Sequence, residues 1–145
     1  MTTSKTEKLK SKDFIITGLQ TWDIPIGSNA IDIAKEIAKN NRVLYVNSPL
    51  DMMTMYRNKK TAENIHRLEV VRKIKNPIRK ISENLWVLDF PFSVWSVNGF
   101  PDGPVFDLFN RRNNRRIFNY VKKVAADLGF ENPVHFIDND IYRSF

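Results

Sequence analysis

The chain has 145 residues, 42% of them hydrophobic and 27% charged, with a formal net charge of +7. That is the length of one ordinary domain, and it can bury a core without staples. The lack of cysteine excludes a disulfide scaffold and a cysteine-based zinc site, two histidines argue against a histidine-rich metal site, and no apolar run approaches the roughly 18 residues that span a bilayer.

Residues 1 to 12 are polar and lysine-rich and read as a disordered leader, with no apolar stretch of the signal-peptide kind. The expected location is cytoplasmic. Residues 13 to 18, Asp-Phe-Ile-Ile-Thr-Gly, predict a short buried strand ended by Gly18. A loop with Trp22, Asp23 and Pro25 follows. Ser28 or Asn29 can cap the next helix, and Asp32 can stabilise its first turn. Ala30, Ile33, Ala34, Ile37 and Ala38 fall on one face at helical spacing. Arg42 to Asn47 predicts a second buried strand, closed by Ser48 and Pro49. Mostly apolar strands joined this way belong to a parallel sheet covered on both faces, with a right-handed crossover.

Met52 to Tyr56 reads as a short helix. Residues 58 to 83 are polar and basic, broken by Pro77, and Leu68 to Val71 admits a strand. Leu85 to Phe90 predicts a third strand, stopped by Pro91. An apolar loop with Trp95 and Phe100 leads to Pro104, which suits the first position of a helix. That helix runs to about Leu128, buries Ile117, Tyr120, Val121, Val124, Ala125 and Leu128, and is ended by Gly129. Pro133 to Asp138 is the last strand, and its Phe136 and Ile137 read as buried. The alternation implies an α/β domain over 13–145: Rossmann-like, doubly wound, a mainly parallel sheet with helices on both faces.

In such sheets ligands bind beyond the carboxyl ends of the strands. That rule nominates Gly18, Trp22, Asp23, Gly27, Ser28 and Asn29 after the first strand and Asn47 after the second. Trp95 follows the third, and Asp138, Asn139 and Asp140 the last. Gly18 with Gly27, Ser28 and Asn29 would let a backbone and a helix N-terminus approach a ligand, or would form a plain turn and cap. Trp22 could stack on a sugar ring or pack over the sheet end. Asp140 could accept a proton or hydrogen bond from an acceptor hydroxyl, or cap a following helix. His135 reads as a core histidine, and Asp89 as paired rather than catalytic. Neither a dinucleotide fingerprint nor a P-loop is present.

Basic residues cluster at Lys8, Lys10 and Lys12, at Arg57, Lys59 and Lys60, at Arg72, Lys73 and Lys75, and at Arg111, Arg112, Arg115 and Arg116. These are either solvated surface or an attraction to an anionic leaflet, where each basic group contributes about 1 kcal/mol. The aromatics lie mostly in strands and apolar faces rather than among the basic residues, so no nucleic-acid partner is expected.

Thr21-Trp22-Asp23-Ile24-Pro25-Ile26-Gly27-Ser28-Asn29, an alanine-rich helix, and Arg42-Val43-Leu44-Tyr45-Val46-Asn47-Ser48-Pro49 together resemble the start of bacterial GT-B glycosyltransferases. The likeness is to family-4-like enzymes of cell-surface polysaccharide synthesis, of the teichuronic acid type. Phe136 to Phe145 resembles a later strand of that family, and Asp140 falls on its aspartate. The resemblance implies an acceptor-side N-terminal domain. The nucleotide-sugar donor would sit in a C-terminal domain that this chain lacks, so the chain would be a truncated piece, inactive alone. It implies no metal and no cofactor in this part. The acceptor would be a sugar or a lipid-linked glycan, reached at the inner face of the membrane. The competing readings are a stand-alone flavodoxin- or receiver-like binding module and a basic nucleic-acid-binding domain.

Overall fold

The protein is described here by a computed structural model covering residues 11–57, 61–97 and 99–138. In chain order the elements are β1 (Asp13–Thr17), α1 (Asn29–Ile37), β2 (Arg42–Val46), α2 (Met52–Arg57), α3 (Ala62–Val71), β3 (Ile78–Ser82), β4 (Leu85–Leu88), α4 (Pro104–Asp127) and β5 (Val134–Ile137). The five strands form one sheet in the order β3-β4-β2-β1-β5. β4, β2, β1 and β5 run parallel, and β3 alone is antiparallel, on the β4 edge. The class is α/β with a mixed, mostly parallel sheet.

Side chains alternate across a strand, and the three inner strands use both faces. Ile15, Leu44, Val46 and Leu88 join the cluster that packs α4 through Ile117, Val121, Val124 and Ala125. Phe14, Ile16, Val43, Tyr45 and Val87 join the cluster that packs α1 through Ala30, Ile31 and Ala34. Residue 31, not the expected Ile33, carries the buried face of α1: Ile33 is 38% exposed. Ser28 is the N-cap residue of that helix, although its side chain makes no capping bond.

α4 has 24 residues, roughly 36 Å at 1.5 Å per residue. Its end is set by Gly129, whose φ of 70° lies in the left-handed region. The Gly129 N–H donates to Ala126 O at 2.9 Å and the Phe130 N–H to Ala125 O at 2.9 Å. Those two bonds satisfy carbonyls that a helix end leaves without partners.

Four further expectations are corrected. Leu68 to Val71 is not a strand but the last turn of α3, where Leu68 and Val70 are buried. The third strand ends at Leu88 rather than Phe90. The last strand is not buried: all four residues of β5 are exposed. β5 is an edge strand bonded only to β1 among the described strands, and none of its residues is buried. His135 is therefore not a core histidine. It faces the α4 side beside Ile15 and Thr17, with its Nε2 3.0 Å from Thr17 Oγ1.

Candidate functional site

The carboxyl edge of the sheet carries two polar assemblies. The first joins the ends of β1, β2 and β4. Asn47 follows β2 and is 1% exposed. Its Oδ1 accepts from the Trp22 N–H at 2.8 Å, and its Nδ2 donates to Asp89 Oδ1 at 2.6 Å. Asp89 follows β4 and is also 1% exposed. Arg79, on β3, donates to both oxygens of Asp23 at 2.9 Å and to Asp89 Oδ2 at 3.2 Å. His66 Nε2 of α3 stands 3.3 Å from that same Asp89 oxygen. Burial works against the Arg79 charge, yet the carboxylates of Asp23 and Asp89 outweigh it and raise its pKa. Arg67 of α3 adds a bond from Nη2 to Ser48 O at 2.6 Å. A buried charge is tolerated when it is paired and hydrogen-bonded, and here each is. The network ties the loop after β1 to three strands and pairs both of its acids.

The nominated residues of the first loop fit that picture. Trp22 packs edge-to-face on Tyr45, ring centroids 5.2 Å apart, with Lys35 Nζ 5.6 Å from the Trp22 ring. Gly18 is explained by the same tyrosine. A Cβ there would lie 1.8 Å from the Tyr45 hydroxyl oxygen, so only glycine lets Tyr45 cross the strand end and donate to Gln20 O at 2.7 Å. The Tyr45 phenol is pushed up to about 12 by burial, and the nearby charge of Asp138 adds to the shift. Asp138 is also fixed through its own N–H, which donates to Thr17 O at 3.0 Å. Gly27, Ser28 and Asn29 sit at the start of α1 and away from this network, and a Cβ at Gly27 would meet nothing within 4 Å. Asn139 and Asp140 lie outside the described residues.

The second assembly is a pocket of about 560 Å³ bounded by the α4 N-terminal half, the loop after β4 and the loop after β2. Trp95 is the nominated residue that lines it, and it is 49% exposed. Its position is fixed through its backbone. Asn113 of α4 accepts from the Trp95 N–H at 3.1 Å and donates to Trp95 O at 2.9 Å, as a neighbouring strand would. Asp51 holds the other side. Its Oδ1 accepts from Ser96 Oγ at 2.6 Å and from the Thr54 N–H at 2.8 Å, and its Oδ2 from Thr54 Oγ1 at 2.6 Å. Burial would raise its pKa, but these hydrogen bonds outweigh burial and lower it. Phe109 packs against both Trp95 and Phe100, with centroids 5.4 and 5.6 Å away.

The sequence reading missed most of this pocket. Asn110, Asn113, Asn114 and Ile117 fall at helical spacing on α4, and that stripe could have been found inside the run read as a basic cluster. Arg79 had no such signal, because β3 is a polar edge strand. Among the described residues no group of acids and histidines could hold a metal ion, and no helix is long and apolar enough to cross a membrane. In comparisons with protein-family models, with curated proteins and with solved structures, the chain finds no match.

Proposed function

We propose that the chain is the acceptor-binding half of a glycosyltransferase that moves a sugar from a nucleotide-sugar to a glycan or lipid-linked acceptor. The observation that carries this reading is an open pocket at the carboxyl edge of a sheet whose parallel strands run β4-β2-β1-β5. That order agrees with a doubly wound, Rossmann-like domain, in which ligands sit beyond the strand ends. A pocket of this size, walled by aromatics with a few convergent polar groups, is the usual form of a small-ligand site. The resemblance of residues 21–49 and 136–145 to GT-B enzymes supplies the reaction class. On this reading the donor site belongs to another domain, and the basic helix α4 faces an anionic membrane at its cytoplasmic side.

The flavodoxin- and receiver-like alternative fits less well. In that arrangement the third parallel strand lies beside β1, whereas here it lies outside β2. A receiver also needs acids at the carboxyl end of its first strand. Asp13 stands at the amino end, held by Arg42 at 2.7 and 2.8 Å.

Calorimetry and a glycan array test the proposal together. The chain should bind array glycans but no UDP- or GDP-sugar at micromolar affinity. A micromolar dissociation constant for a nucleotide-sugar on this chain, or an array with no bound glycan, overturns it.

A further inference from the structure

The polar side chains of the pocket fall into two groups. Asp51, Ser96 and Asn113 are committed to holding the loops, through the bonds described above. Among the described residues, the side chains of Asn110, Asn114 and Asp102 make no hydrogen bond to the protein. Asn110 and Asn114 lie four positions apart on α4, so they stand one above the other on one face. Each amide offers both a donor and an acceptor. Opposite polar character is supplied by Trp95, Phe100 and Phe106, which also line the space. An aromatic face is negative and attracts the partly positive C–H edge of a saturated ring, while amides pair with the hydroxyls on its rim.

The charge of the lining narrows the ligand. The chain carries +7, yet among the described residues no lysine or arginine lines the pocket, and the charged groups there are Asp51 and Asp102. A carboxylate or phosphate on the ligand would face two acids with no cation to offset them. We infer that this pocket binds a neutral sugar ring, seated against Trp95 and Phe100 and hydrogen-bonded by Asn110 and Asn114. The inference rests on the acceptor reading and deepens it: the sugar that enters the site is uncharged, not a uronic acid.

The test is a titration of the 145-residue chain, followed by amide and indole correlation spectra. The probes are the methyl glycosides of glucose, galactose, mannose and N-acetylglucosamine, with methyl glucuronide as the anionic counterpart. At least one neutral glycoside should shift the Trp95 indole and the Asn110 and Asn114 side-chain amides at millimolar concentration. Asn114→Ala should weaken that binding roughly two- to tenfold, the effect of one neutral hydrogen bond, and Trp95→Ala should abolish it. The glucuronide should bind about tenfold more weakly than its neutral counterpart. Asn110→Ala serves as a second probe if Trp95→Ala does not give a dispersed spectrum. No shift with any neutral glycoside, shifts confined to residues outside the pocket, or a glucuronide that binds as tightly as its neutral counterpart overturns the inference. Neutral sugar in the pocket without any transferase activity in the full-length protein would leave this assignment standing and remove the glycosyltransferase reading. Transfer to an acceptor mapped elsewhere would do the reverse.

Discussion

Two polar regions abut on the same edge of the sheet, meeting near Leu19 and Pro49, and they are in opposite states. In the Asn47–Asp89–Arg79–Asp23 network Asp89 is buried, Asp23 is half-buried, and each is paired. In the pocket beside α4, two amides and a carboxylate line open space next to exposed Trp95 and Phe100. The first region holds the greater density of charge, and a search for titratable clusters would choose it. The second has the room and the uncommitted groups. Charge density marks where a fold is tied together as readily as where it acts, and the distinction lies in whether the groups already have partners.

Breaking the network should give the largest effect. Arg79→Leu leaves Asp89, 1% exposed, without its cation. Removing one partner of a buried pair costs roughly 3–5 kcal/mol, and urea unfolding at neutral pH should show a loss of that size. A loss below about 1 kcal/mol would mean that the network is not what ties these loops, and that Asp89 is available for other work.

Gly18→Ala comes next. The added methyl would lie 1.8 Å from the Tyr45 oxygen, and overpacking of this kind costs about 1–3 kcal/mol. Tyr45→Phe in the same chain should restore part of that. Gly27→Ala, with open space around it, should stay within about 0.5 kcal/mol. Equal effects at the two glycines would remove the packing explanation for Gly18.

A smaller effect belongs to Asp51. Its folded pKa is lowered, so its contribution is fully present above the unfolded value of about 4. The contribution is lost as pH falls from there through the folded pKa. Asp51→Asn should flatten that acid limb of the stability curve by under about 1 kcal/mol, because solvent screens a partly exposed carboxylate. An unchanged acid limb would show that the loop contacts of Asp51 contribute nothing measurable. The smallest change is expected at Asn114→Ala. Its melting curve should match the parent within about 0.5 kcal/mol while glycoside binding weakens. A clear loss of stability there would place Asn114 with the structural groups and blur the contrast between the regions.

The elements most legible in the sequence are those whose burial pattern is their own. β1, β2 and β4 are continuous apolar runs flanked by breakers, and α4 carries its apolar stripe between Pro104 and Gly129. α3 and β3 were obscure for physical reasons. α3 ends in Val70 and Val71, which favour strands locally, and its helix is settled by where Leu68 and Val70 are buried. β3 has no buried residue, so no apolar alternation marks it. The candidate site was partly legible. The sheet-end rule selected Asn47, Trp22, Asp23 and Trp95, but which of these are saturated by Arg79 and Tyr45 depends on contacts between elements far apart in sequence.

The position of β1 has a consequence for how the molecule is made. β2 can pair with β1 once residues 42–46 exist, but β5 supplies the other neighbour only from residue 134 onward. Thr17 meets His135 across a separation of 118 residues. The entropy lost in closing a chain grows with the logarithm of its length, and pairings this distant slow folding. The β1–α1–β2 unit can therefore assemble early, while the β1–β5 seam closes last. Until then β1 presents a row of unpaired N–H and C=O groups beside Phe14 and Ile16, an edge open to pairing with another chain. β1, an inner strand of the finished sheet, is an edge strand until residues 134–137 have been made.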